Sequence, residues 1–556
     1  MTDSTDIGPQ VLRTDPTPNT GATSAIASMA YRDSEVEDLI NAVTEPTNTA
    51  TLTTWTEGRA EGLFKPNLGE AFCQAVLKRT LGAGRKPLVP SYGAQPRIII
   101  EHCLEAQEIR KVRDRRLTWI SLVFGLLFLP GAALWLAAYL VGGEGKDRNR
   151  QALRVAIQVL TVIVAAALLW RYHGTGGLWG WYLQLMIPLP VVGWFLARRV
   201  CLDTAHTLHD RWGGLLEGTG PGPKTSGAVP MGPEDKKAEN LRKQLAAIAA
   251  EQDTNIAHYA GPKGILGMGR RYASWSLDEN LNAAGELEEI RPFHNFDVIR
   301  RMEERLRLLT RSPLAEGGIP SVQVEHWIIS AIGEGADEIS RPVGPDMDGT
   351  RMRAHAVQNI ANRQIFGNGP RHYLGTQFVL WEGQLVVTLN TTVTALGPSL
   401  RVEVTGHALG PLPALFTKKP KPPEIEVAKT FRFWEKRTVQ LPLINSAAEV
   451  VRLAVRAPFT HFEWSVGLLG WLGGTLKLPE PFGLRSAWAS KPWNNRFMAD
   501  DAIRVSVPVL RAAHAALLEL LPEQDVALDR FQTRSNLISA EMQSSRPSKA
   551  DEYDAS

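Results

Sequence analysis

Between Arg116 and Glu144 the chain runs for 27 residues without a charge, LTWISLVFGLLFLPGAALWLAAYLVGG, and two more apolar runs follow closely. A bilayer core takes roughly 20 apolar residues of helix, so residues 117–143, 152–170 and 178–197 predict three membrane segments. Flanking bases then choose between topologies, because Lys and Arg near membrane ends stay cytoplasmic. With three spanning segments they divide almost evenly. If the first segment dips in and returns at Pro130-Gly131, twelve bases share one side (Arg110, Lys111, Arg113, Arg115, Arg116, Lys146, Arg148, Arg150, Arg154, Arg198, Arg199 and Arg211) and Arg171 alone faces the other. Proline removes a helix hydrogen bond and glycine allows a bend, so a re-entrant hairpin is the reading the charges favour, with both flanking regions in the cytosol.

Beyond the apolar runs the periodicity changes. DKKAENLRKQLAAIAAEQD, residues 235–253, places Leu241, Leu245 and Ile248 on one helical face, and residues 296–309 repeat Val298, Met302, Leu306 and Leu309 behind an Asn295 cap. Residues 372–381 and 384–396 alternate as strands about a Glu382-Gly383 turn. In LRVEVTGHAL, residues 400–409, Leu400, Val402 and Val404 alternate with Arg401, Glu403 and Thr405. SVQVEHWII, residues 321–329, predicts a fourth strand. Ser446 and Glu449 form a capping box for a helix stopping at Pro458, and residues 506–521 form another helix, with His514 on its apolar face. The fold class expected is membrane helices plus an α+β cytosolic domain with an antiparallel meander.

These signals divide the chain into a disordered tail (1–50), a small cytosolic region (51–116), the membrane region (117–200), a juxtamembrane helix with a Gly/Pro linker (201–234), the α+β domain (235–541) and a second tail (542–556). The net charge of +3 is nearly balanced and excludes nucleic acid as a partner. Three cysteines, Cys73, Cys103 and Cys201, leave the last 355 residues with no disulfide framework.

Candidate chemistry is sparse. GPKGILGMGRR, residues 261–271, brings Lys263, Gly264, Gly267, Gly269, Arg270 and Arg271 together as an anion loop whose backbone N–H groups could cradle a phosphate, although it matches neither GxxxxGK[ST] nor GxGxxG. Asp203, His206, His209 and Asp210 beside Cys201 fit a solvated helix face better than a metal site. Asp346-Met347-Asp348-Gly349 starts like a calcium loop, but glycine stands fourth and Val357 occupies the twelfth position, so it reads as a turn. Trp464 to Leu472, WSVGLLGWL, is apolar enough for a lipid surface near Lys418, Lys419 and Lys421, with core packing the simpler reading. No metal, cofactor or catalytic residue is assigned.

NIAHYAGPKGILGMGRRYASWS, RHYLGTQFVLWEGQLVVTLNTTV and FQTRSNLISAEM together resemble a group of actinobacterial multi-pass membrane proteins of unknown function. The resemblance implies a bacterial plasma membrane and carries no activity onto any residue. The function expected is a membrane protein with a cytosol-facing interaction or scaffolding domain, its partners the lipid bilayer and another protein. The alternatives are a membrane-tethered enzyme with its active site within residues 235–541, and a small oligomeric pore or membrane-acting effector.

Overall fold

The computed structural model of the chain describes residues 21–43, 56–57, 64–129, 131–132, 159–160, 163, 166–167, 170–171, 178–186, 188–220, 222–223, 236–285, 289–309, 319–333, 339–363, 367–420, 424–429, 432–440, 444, 447–462, 475–476, 478–489 and 491–544. Helices α1 (Gly21–Ser28), α2 (Val36–Val43), α3 (Leu68–Leu81), α4 (Pro96–Ile120), α5 (Leu178–Leu185), α6 (Pro188–Glu217) and α7 (Lys236–Gln252) precede the main sheet. The sheet has six strands, β1 (Ile256–Tyr259), β2 (Arg270–Asn280), β3 (Val322–Ala331), β4 (Arg371–Leu380), β5 (Leu385–Leu396) and β6 (Ser399–Leu409), in the order β1-β3-β4-β5-β6-β2. The β1–β3 pair is parallel and the others are antiparallel, so the sheet is mixed.

One sheet face is apolar because alternate residues point the same way. Leu374 and Phe378 of β4, Leu385, Val387 and Leu389 of β5, and Leu400, Val402 and Val404 of β6 pack in one cluster with α8 (Asn295–Leu308), α11 (Arg496–Glu523) and α12 (Asp529–Ser544). Between α8 and α11 lie α9 (Ala354–Arg363) and α10 (Ala447–His461). The α11 helix starts ten residues before the predicted 506, where Asn495 caps it by accepting the Met498 N–H at 3.1 Å. Asn295 does not cap α8. Its side chain donates to the Ala361 carbonyl at 3.3 Å and accepts from Ala395 N–H at 3.2 Å, tying α8 to α9 and β5, while Asp297 accepts the His294 N–H. Helix α10 continues through Pro458 to His461. The β4–β5 connection turns through three left-handed residues, Trp381, Glu382 and Gly383.

The described residues of the expected N-terminal tail and small cytosolic region pack against the rest of the chain. Residues 22–31 are buried, and α1, α3 and α4 share a cluster with Leu412, Phe416, Phe482 and Trp488. Polar contacts fasten these helices: the Tyr31 hydroxyl donates to Glu105 at 3.0 Å, Arg211 of α6 pairs with Glu105 at 2.6 Å, and Arg456 of α10 pairs with Glu70 of α3 at 2.7 Å.

The expectation of a multi-pass membrane fold with three apolar segments is corrected. Among the described residues one helix is long and apolar enough to cross a membrane, α11, and it lies in the protein core, with Leu510, Leu517 and Leu521 fully buried. The first apolar run continues α4 through a π-helical turn, Ser121–Leu126, and its opening Leu117 is buried with Ala197, Cys201, Val450 and Leu453. At the center of that run the Ala132 N–H bonds to the Phe128 carbonyl at 3.0 Å, a helical spacing, while Pro130 and residues 133–143, on which the expected hairpin depends, lie outside the described residues. The third run is divided between α5 and α6, which opens on Pro188 and continues to Glu217. Most of the second run lies outside the described residues. These runs failed as indicators because apolar length is shared by membrane segments and by helices packed on protein.

Candidate functional site

The opposite sheet face floors a cavity of about 1000 Å³, large for a small-molecule site. Its floor comes from alternation on the strands: Glu403, Thr405 and His407 of β6 point away from the core that Val402 and Val404 enter, and Thr392 of β5 and Tyr373 of β4 lie on the same side. One wall is the loop from Gly261 to Gly269, and the other is the segment from Pro479 to Ala489. Val89, Leu266, Ile329 and Leu409 add apolar surface.

The anion loop does line this cavity, together with Arg270 and Arg271 at the start of β2. Its backbone is nevertheless engaged elsewhere. The N–H groups of Lys263, Gly264, Leu266 and Met268 bond to the carbonyls of Ala260, Gly261, His258 and Ile265, so those four cannot form a phosphate cradle. The glycines have packing reasons: Gly267 and Gly269 hold φ of +88° and +83°, and a Cβ on Gly269 would stand 2.1 Å from the Ala408 oxygen. What the loop offers a ligand is its side chains.

Cations outnumber carboxylates around the cavity. Lys263, Arg270, Arg271 and Arg371 face Glu403 and Glu480, and each carboxylate has a cation of its own from outside the lining. Glu480 is held by both ends of the Arg79 guanidinium at 2.6 and 3.0 Å, and Glu403 by Arg401 at 3.0 Å, with Arg271 at 3.9 Å. Lys263 donates to the Glu480 carbonyl at 2.9 Å and Arg371 to the Gly367 carbonyl at 3.2 Å. In the floor His407 is 6% exposed, and its Nδ1 has no protein hydrogen-bond partner. Burial, reinforced by the Arg271 charge, lowers its pKa to about 4, so the ring is neutral at pH 7.

Sequence reasoning missed His407, although extending the period of Arg401, Glu403 and Thr405 by one step reaches it. It also missed the closing segment from Pro479 to Ala489, whose irregular backbone has no period. That segment is pinned by Arg485, fully buried, which donates to the carbonyls of Gly383 at 3.1 Å, Gln384 at 3.1 Å and Gly410 at 2.5 Å.

The other sequence candidates do not join the cavity. Cys201 is buried while Asp203, His206 and Asp210 are exposed on α6, and no metal-binding group of three or more ligands occurs among the described residues. Met347–Asp348 pairs with Arg351–Met352 as a short hairpin turning at Gly349. Residues 464–472 and Lys421 lie outside the described residues. On the core face, His326 bridges His372 at 2.9 Å and Glu303 at 3.2 Å beneath α8.

Residues 274–546 match the family model of the AbeC-like domain, a stretch that starts within β2 and includes β3 to β6 and the closing segment of the cavity. Comparison with the curated proteins and with the solved structures finds no match.

Proposed function

We propose that this chain is a binding protein whose site is the sheet-floored cavity, with no chemistry of its own. The observation that carries this is the pairing of a large cavity with a rigid polar floor: β4, β5 and β6 are pinned by the core beneath them, so Thr392, Thr405 and His407 are fixed before a ligand arrives. The test is small-molecule retention. The chain purified from its own cells, denatured and analysed by mass spectrometry, should release a compound absent from Thr405→Trp and Thr392→Trp, whose indoles fill the cavity from two strands. Equal recovery from all three, or none from any, contradicts the reading.

A second observation favours work at the cytoplasmic surface of a membrane. Trp119, Leu126, Leu127 and Leu129, the last three just beyond α4, and Phe195 of α6 are more than half exposed, and Arg115, Arg116 and Arg199 lie beside them in the chain. Apolar side chains next to bases suit an anionic lipid surface. Kinship with an actinobacterial membrane-protein group belongs to the same proposal. The chain should co-sediment with vesicles containing anionic phospholipid, and Leu126→Glu with Leu127→Glu should abolish this; failure of the unsubstituted chain to sediment would remove the membrane from the proposal.

A further inference from the structure

We propose that the ligand of this cavity carries a phosphate group, received by Arg271, Arg371 and Lys263 at the rim and by His407 on the floor. This rests on the reading of the cavity as the binding site and adds the chemical class of what enters it.

Three observations converge on an anion. Lys263, Arg271 and Arg371 line the cavity, and both carboxylates there are already matched by Arg79 and Arg401 from outside it, so these three leave the lining an excess of positive charge. A guanidinium has five N–H donors and an ammonium three, and one hydrogen bond is found for each of Arg371 and Lys263, to a neutral carbonyl. A ligand oxygen can therefore be added without breaking either bond. His407 supplies the second kind of contact: a buried imidazole nitrogen without a partner costs free energy that a ligand hydrogen bond recovers. A neutral ring can donate from Nδ1 to a phosphate oxygen, or accept from a singly protonated one, according to its tautomer.

Size and lining separate an organic phosphate from the bare ion. A cavity of about 1000 Å³ leaves most of its volume beyond a phosphate, and that remainder is bounded by Val89, Leu266, Ile329, Leu409 and the Tyr373 ring. The phosphate thus belongs to a larger molecule with an apolar or aromatic body. Two sources share this chemistry, a soluble nucleotide and the headgroup of a phospholipid.

The experiment is calorimetric titration of the full-length chain in mild nonionic detergent with ATP, inorganic pyrophosphate and dihexanoyl phosphatidic acid, repeated with Arg271→Gln, Arg371→Gln and His407→Gln. At least one probe should bind, more weakly as salt rises, and each arginine variant should weaken it about tenfold or more, the scale of one charge-assisted contact. ATP without the lipid points to a soluble ligand, the lipid without ATP to a headgroup, and both to recognition of the phosphate alone. Arg271 and Arg371 are exposed at the rim, so their variants carry the test even if His407→Gln misfolds. The proposal is overturned if no probe binds, or if binding is unchanged in both arginine variants. Should a compound retained by the unsubstituted chain and lost from Thr405→Trp lack phosphate while the probes fail, the phosphate assignment falls and the binding site stands; if nothing is retained either, both fall.

Discussion

Strand β6 serves two faces at adjacent positions, and opposite substitutions at Val402 and Glu403 separate them. Val402 is 1% exposed, lies between Leu277 of β2 and Val393 of β5 in the sheet, and enters the core under α11 and α12. Replacing it with Asp removes apolar burial of about 1.5–3 kcal/mol. It also places a carboxyl among hydrocarbon, which costs at least about 1–3 kcal/mol even when the group stays protonated. The total, about 2.5–6 kcal/mol, is a large part of the whole stability of many domains. Glu403 is partly solvated and joined to two exposed arginines, so Glu403→Ala should cost under about 1 kcal/mol. Removing that carboxylate makes the cavity more positive, so the same substitution should tighten the phosphate-bearing probe. Urea unfolding of the full-length chain, followed by tryptophan fluorescence, measures stability, and titration measures the second effect; the full chain is needed because α1, α3 and α4 share a cluster with the segment closing the cavity. Equal midpoints for Val402→Asp and the unsubstituted chain would refute the division of faces, and weaker probe binding by Glu403→Ala would refute the electrostatic account.

Acid should destabilise the fold. Burial lowers the pKa of His102, His407 and His514 to about 4 and of His372 to about 3, so below about 6.5 the unfolded chain takes up protons the folded chain refuses; the stability is complete above that pH and lost as pH falls through the folded values. Unfolding midpoints between pH 7 and 4 should therefore fall, less steeply in His514→Gln, and an unchanged slope would deny His514 its share. Gly269→Ala should lower the urea midpoint by the equivalent of about 1–3 kcal/mol, since the position combines positive φ with close approach to β6; no change would mean that the backbone relaxes freely there. Arg456→Met should cost about 3–5 kcal/mol by leaving Glu70 buried without its cation, and Arg456→Met with Glu70→Leu should recover much of it; absence of recovery would show that the loss is not electrostatic.

Regular periods in the sequence translated into structure where one face of an element meets one environment. Leu400, Val402 and Val404 are buried and Arg401 is exposed, as alternation requires, and Val298, Met302 and Leu306 share the buried side of α8. The runs at 117–143 and 178–197 misled for the converse reason: apolar composition states that water is avoided but not whether lipid or protein replaces it. Leu117 and Ala197 are buried against protein, Leu127 and Phe195 are more than half exposed, and nothing in the local sequence separates them. Of the cavity, the glycine loop and its bases were legible. The chemistry assigned to that loop was not, because the pairing of its N–H groups depends on the folded backbone. His407 and Arg485 become informative only through partners distant in sequence, such as Arg271 and Gly383.

Occupancy of the cavity is tested most directly by crystals of the full-length chain soaked in tungstate, a tetrahedral dianion whose tungsten scatters anomalously. An anomalous peak bordered by Arg271, Arg371 and His407, absent from Arg271→Gln crystals of the same form, is the predicted result. A cavity without tungsten in crystals that bind it elsewhere would contradict the claim that this sheet face is an anion-binding site.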